Sequence, residues 1–158
     1  MKHSVPVGRF ASFTLAAICL SATIIVAQER AIYPEKADAK TEIQRALIKA
    51  GKEKKRVILD FGGNWCGDCR VLDAHFHKEP NSSLLAKSFI LIDVNIGHGD
   101  MNLDIAKKYG VPLEKGVPAL AVLDAKGQVL YSQKNGEFES MRSMDPASVT
   151  AFLKRWKG

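Results

Sequence analysis

The stretch LDFGGNWCGDC, Leu59–Cys69, places two cysteines two residues apart behind a tryptophan. Upstream of it, Arg56–Phe61 reads RVILDF, a short apolar run rich in branched residues that suits a buried central strand. Gly62 and Gly63 break that run. From Cys66 a helix can continue to about Lys78, with Cys69, Leu72 and Phe76 on one side. Both cysteines then fall in its first turn. Such a pair can be half of a zinc site, a structural crosslink, a copper-binding claw or a redox couple. Zinc wants a second pair, and the nearby histidines are His75 and His77 alone. A disulfide closing so small a loop removes little chain entropy, so it stabilises little. Redox exchange needs a thiolate at a helix N-terminus, where backbone N–H groups and the helix dipole favour negative charge, with a second thiol one turn along.

Working outward, residues 28–38 read as a linker. A helix follows over Ala39–Lys54, its apolar stripe formed by Ile43, Ala46, Leu47 and Ala50. After the cysteine helix, Pro80 ends the element and NSSLLAKS offers a short helix. FILIDVNI, Phe89–Ile96, is a second strong strand. Asp100 is expected to cap a helix over Met101–Tyr109 that Gly110 stops. ALAVLD (Ala119–Asp124) and VLYSQ (Val129–Gln133), joined by a Gly-bearing turn, read as an antiparallel hairpin. Asp145 and Pro146 open a last helix that buries Val149, Phe152, Leu153 and Trp156. The order implies an α/β fold with a mixed central sheet and helices on both faces.

The chain has 158 residues, room for one domain. Lys2 and Arg9 precede the uncharged run Phe13–Ala27, and the first acidic residue is Glu29. That is the pattern of a signal peptide, residues 1–27 with cleavage after Ala27, or of a retained anchor, although the run falls short of the ~20 residues that cross a bilayer comfortably. Cys19 lies inside the run behind Ile18, which disfavours lipidation, so Cys66 and Cys69 are the thiols of the processed chain. The net charge of +6 becomes +4 without Lys2 and Arg9, 21 basic against 17 acidic residues. Cations are not clustered with aromatics, so a nucleic-acid partner is not expected.

LDFGGNWCGDC resembles the strand, loop and active-site helix of the thioredoxin-like family, and GVPALAVLD (Gly116–Asp124) is similar to the segment where that family places a cis-proline before an antiparallel strand. The resemblance runs from about Ala39 to the C-terminus and implies a thioredoxin-like three-layer fold over residues 39–158. It implies Cys66 as the attacking thiol, Cys69 as the resolving thiol and Asp60 as the buried carboxylate that takes the Cys69 proton through water. It also implies substrate contact at Trp65, Val117 and Pro118, with Val117–Pro118 cis. Two departures stand out. Gly67-Asp68 occupies the centre of the motif where thioredoxin has Gly-Pro, and Asp93 falls where the family carries a lysine near the buried Asp.

The expected function is thiol–disulfide exchange through Cys66-Gly67-Asp68-Cys69, reducing protein disulfides outside the cytoplasm, in a bacterial periplasm. The alternative is a copper-handling protein in which the same pair, with His75 or His77, holds Cu(I). No cofactor is expected: electrons pass between protein thiols, with a membrane thiol donor behind them, and the chain is expected to act as a monomer that meets the membrane only through an uncleaved N-terminus. Asp68, placing a carboxylate in the same helical turn as Cys66, is expected to oppose a thiolate there and to keep the potential below about −200 mV.

Overall fold

The computed structural model describes residues 30–158; the apolar run, Cys19 and the cleavage position after Ala27 lie outside them. Asp38 opens the first helix, α1 (Ala39–Glu53), by accepting the Lys40 and Thr41 N–H groups on its side chain, and the helix buries Ala39, Ile43, Ala46 and Ala50. Strand β1 (Arg56–Gly62) follows and runs through Gly62, one residue beyond the expected break. Helix α2 (Gly67–Phe76) carries the cysteine motif, α3 (Asn81–Ser88) is a short helix, and β2 (Phe89–Asn95) is the second strand. Helix α4 (Leu103–Lys108), a 3₁₀ turn at Leu113–Lys115, β3 (Ala119–Leu123), β4 (Val129–Ser132) and α5 (Ala147–Trp156) complete the chain.

The sheet order is β2-β1-β3-β4. Strand β1 pairs parallel with β2 and antiparallel with β3, and β3 pairs antiparallel with β4 across the expected hairpin. Strand alternation sends Val57, Leu59 and Phe61 into one core with α1 and α4, and Ile58 into a second core with Leu72 and Phe76 of α2 and Val149, Phe152 and Leu153 of α5. The sheet is thus a middle layer covered on both faces, which explains why β1 is apolar almost throughout. Asp60 is the exception, on the α2 side.

Two helix starts differ from expectation. Asp100 does not cap α4: its carboxylate accepts the His98 N–H at 3.0 Å inside the preceding turn, and Asn102 stands at the helix entry in the left-handed region at φ 54°. A side chain that can satisfy a turn two residues away competes with its use as a cap. At α5, Asp145 accepts the Ala147 N–H at 2.9 Å, but the helix begins at Ala147 with Pro146 as its N-cap, one residue later than expected. Buried Asn81 ties three helices at the far end of the sheet, donating to the His75 carbonyl of α2 at 3.0 Å and accepting from Thr150 of α5 at 2.7 Å. Among the described residues, no helix is long and apolar enough to cross a membrane.

Candidate active site

Strand β1 ends at Gly62 and a short loop from Gly63 hands the chain to α2, so the cysteines stand where the strand's C-terminal end meets a helix N-terminus. Cys66 is the N-cap of α2, and its sulfur accepts the Cys69 N–H at 3.1 Å. The two are joined as a disulfide with a Cα–Cα distance of 5.3 Å. Cys69 is fully buried and Cys66 nearly so. The Val117–Pro118 bond is cis, and the Val117 carbonyl oxygen lies 3.6 Å from Cys66 Sγ. Gln133, itself buried, braces that segment: its amide donates to the Pro118 carbonyl at 3.2 Å and accepts the Leu120 N–H at 3.3 Å.

Asp60, two residues before Gly62 on β1, is 1 % exposed. Its Oδ2 accepts the Tyr33 hydroxyl at 3.0 Å, and Oδ1 has no hydrogen-bond partner among the described residues. Burial pushes the Asp60 carboxyl well above the usual carboxylate range, the neighbouring Asp93 pushes the same way, and the Tyr33 hydrogen bond opposes them. Asp93 is the β2 residue in register with Asp60. Burial, then the Asp73 charge, push it up to about 6, while Arg30 and His77 pull it back. The expected Asp93 near Asp60 is therefore present and makes this pocket acidic. Arg30 and His77 both pair with Asp73, at 2.5 and 3.2 Å.

Tyr33 lies in the segment read as a linker, yet it is fully buried and Ile32 nearly so. Asn64 holds both: its side-chain oxygen accepts the Ile32 and Tyr33 N–H groups at 2.9 and 3.0 Å, and its amide donates to the Tyr33 carbonyl at 2.8 Å. Ile32, Tyr33, Cys66, Cys69 and Val117 pack as one small cluster. Nothing in the local sequence AIYPEK announces this, because the partners are about thirty residues away; an apolar pair, Ile32-Tyr33, in an otherwise polar segment is the one available signal.

The Asp68 carboxylate does not stand free beside Cys66, which corrects the expectation built on its charge. Arg142 Nε and its terminal nitrogen donate to Asp68 Oδ2 at 3.1 and 2.8 Å, and the Arg142 N–H donates to Oδ1 at 2.9 Å. These bonds hold the Asp68 carboxyl below the usual range and offset its charge with a guanidinium. The argument for a low potential from an uncompensated Asp68 therefore loses its basis.

Trp65 is 53 % exposed, stacks on His98 with ring centroids 5.7 Å apart, and donates its indole N–H to the Gly97 carbonyl at 2.5 Å. It forms one wall of an open groove of about 980 Å³ that also takes in Leu103, Val111, Leu113 and Val117. His75 and His77, weighed as copper ligands, sit at the other end of α2 from Cys66, about 13 and 16 Å along the helix axis at about 1.5 Å per residue. They do not converge on the sulfur pair.

A disulfide at a helix N-cap, a cis-proline against its first sulfur and a buried carboxylate on the strand that leads to them define a thiol–disulfide oxidoreductase on a thioredoxin-like frame. The chain belongs to the thioredoxin-like family, whose model matches residues 38–125. A solved structure described as a disulphide isomerase from Xylella fastidiosa Temecula1 superposes with a TM-score of 0.76 at 36 % identity, covering 80 % of this chain and 96 % of that one. A thioredoxin from Pongo abelii is 34 % identical over 103 residues, 64 % of this chain and 80 % of that protein. The thiol:disulfide interchange protein DsbD of Pseudomonas fluorescens is 26 % identical over 117 residues, which is 73 % of this chain but only 18 % of that protein. The chain thus spans less than a fifth of the DsbD relatives it matches.

Proposed function

We propose that this chain is exported and reduces disulfides in protein substrates, with Cys66 attacking, Cys69 resolving and Asp60 as the base for Cys69. The observation that carries the reading is the Cys66 N-cap. A sulfur that already accepts the Cys69 N–H at 3.1 Å is placed for its thiolate to receive the same bond and the helix dipole. Attack on a substrate disulfide then forms a mixed disulfide at Cys66. Cys69, one turn deeper, displaces the substrate sulfur once its proton is taken.

Asp60, held toward its neutral form by burial, has the proton affinity that a base for a thiol requires. A base for the second cysteine serves the release step, the step that completes reduction of a substrate, and this supports the reducing direction. Trp65, Val117 and the cis Pro118 form the substrate contact, with an extended chain laid beside Val117 and apolar side chains in the groove. Export is supported by the apolar run Phe13–Ala27 behind Lys2 and Arg9, with residues 28–38 leading into a thioredoxin-like domain over 39–158. The likeness to thiol:disulfide interchange proteins supports a membrane-bound thiol donor as the source of electrons.

Trapping with an insulin disulfide tests the division of labour. Cys69→Ser accumulates the mixed disulfide and Cys66→Ser does not. Equal trapping by both variants, or by neither, removes Cys66 as the nucleophile.

A further inference from the structure

The thiol of Cys69 is sealed from solvent, so its proton needs a route to Asp60. Tyr33 packs with Cys69 in one cluster and bonds Asp60. A β-carbon built on Gly62 collides with Tyr33 Oη and comes within 2.8 Å of Cys69 Sγ, so hydroxyl and sulfur both border the small space beside the bare Cα of Gly62. On its other side the same hydroxyl donates to Asp60 Oδ2 at 3.0 Å. The ring is fully buried, and its backbone is clamped at N–H and C=O by Asn64, the residue two before Cys66. Gly62 therefore has a structural use: a side chain there would displace the hydroxyl, the sulfur or both.

We propose that Tyr33 relays the proton from Cys69 to Asp60. This rests on the reading of Cys69 as the resolving thiol and Asp60 as its base. In the mixed disulfide, the Cys69 thiol proton passes to Tyr33 Oη while the Tyr33 hydroxyl proton passes to the Asp60 carboxylate. Tyrosine ends as it began, neutral. The electron pair left on Cys69 Sγ forms the bond to Cys66 Sγ. The bond between Cys66 and the substrate sulfur breaks, and its electron pair leaves on the substrate as a thiolate that solvent protonates. The substrate cysteine pair is then reduced, the Cys66–Cys69 pair oxidised, and Asp60 protonated. When a donor thiolate attacks the disulfide at Cys66, Cys69 departs as a thiolate and recovers the proton by the reverse route.

The oxidised site has the features this cycle requires. Burial and the Asp60 charge push the Tyr33 phenol far above its usual range, so it passes protons without resting as a phenolate. Asp60 is held toward the acid form by burial and by the charges that face it, Asp93 from β2 and Asp73 from α2, the latter paired with Arg30. A hydroxyl held by the backbone is a fixed relay, where a water would have to be ordered anew in each turnover.

The test follows single-turnover reduction of a fluorescent peptide disulfide, separating formation of the mixed disulfide from release of the peptide thiol across pH 6–9. Tyr33→Phe keeps the ring and removes the hydroxyl. Release slows at least about tenfold at pH 7, the deficit shrinks toward pH 9, and the first phase is unchanged. Asp60→Asn slows release in the same way, and the double variant is no slower than the slower single variant. A wild-type release profile in Tyr33→Phe with slow release in Asp60→Asn overturns the relay and leaves Asp60 as base. Wild-type release in both overturns relay and base together, and multiplication of the two defects overturns the relay alone. In mixtures of H₂O and D₂O the wild-type release rate shows the curvature of two protons in flight. A straight line overturns the relay without any variant having to fold.

Discussion

Asp68 and Arg142, 74 positions apart in sequence, are joined by three hydrogen bonds, two from the guanidinium and one from the Arg142 backbone N–H. The same guanidinium passes 3.8 Å from where a Gly67 β-carbon would lie. The redox helix therefore begins beside an ion pair rather than beside a lone carboxylate. Breaking the pair from either end shifts the couple in opposite directions. Arg142→Gln leaves the Asp68 charge in the turn of Cys66, disfavours the thiolate and lowers the reduction potential. Asp68→Asn leaves the guanidinium, favours the thiolate and raises it. Because the arginine is largely exposed, each shift is about 10–20 mV, equivalent to roughly 0.5–1 kcal/mol. Equilibration with glutathione measures both; shifts of the same sign contradict the account.

Asp93 makes stability depend on pH. The folded protein holds its proton up to about 6, whereas the unfolded chain releases it near about 3.9. The native state thus binds more protons between those values, and stability falls as pH rises through that window. Asp93→Asn removes the loss. Denaturation of the oxidised variant shows a gain on the order of 1–3 kcal/mol at pH 7 that vanishes below pH 4. A variant weaker than wild type at pH 7 shows instead that attraction to Arg30 and His77 outweighs the burial of the charge.

Gly62→Ala inserts a methyl group against Tyr33 and Cys69. Neither neighbour can yield, since one is clamped by Asn64 and the other sits in a helix. The expected cost is about 1–3 kcal/mol of stability, read as a lower denaturation midpoint with unchanged slope, together with slowed release of substrate thiol. A neutral substitution would mean that Tyr33 can leave the site without penalty.

Processing after Ala27 gives a protein outside the cytoplasm that begins at Gln28 and keeps Arg30 and Tyr33. Mass spectrometry of the exported material reads this directly. An intact chain starting at Met1 in the soluble cytoplasm overturns export.

Much of this architecture was legible in the sequence because its signals are local. The apolar run of β1, the branched run of β2, the hairpin around Gly127 and the cysteine spacing each act within a few residues, and Asp60 is conspicuous as a charge in an apolar strand. Asp100 misled because its turn bond and a helix-capping bond use the same acceptor two residues apart. Tyr33, Asn64 and Arg142 were invisible for a different reason. Their importance lies in contacts spanning 27 to 74 positions, and a tyrosine in a polar segment or an arginine in a loop looks the same whether or not such a contact forms.

The family match over residues 38–125 contains both sulfurs, Asp60 and the cis-proline, but neither Tyr33 nor Arg142. These two approach the Cys-Gly-Asp-Cys turn from opposite ends of the chain, one bringing a hydroxyl and the other a cation. The common module thus supplies the electron couple, and its flanks supply the groups that set how protons and charge accompany it. Two members with identical modules and different flanks would be different reagents.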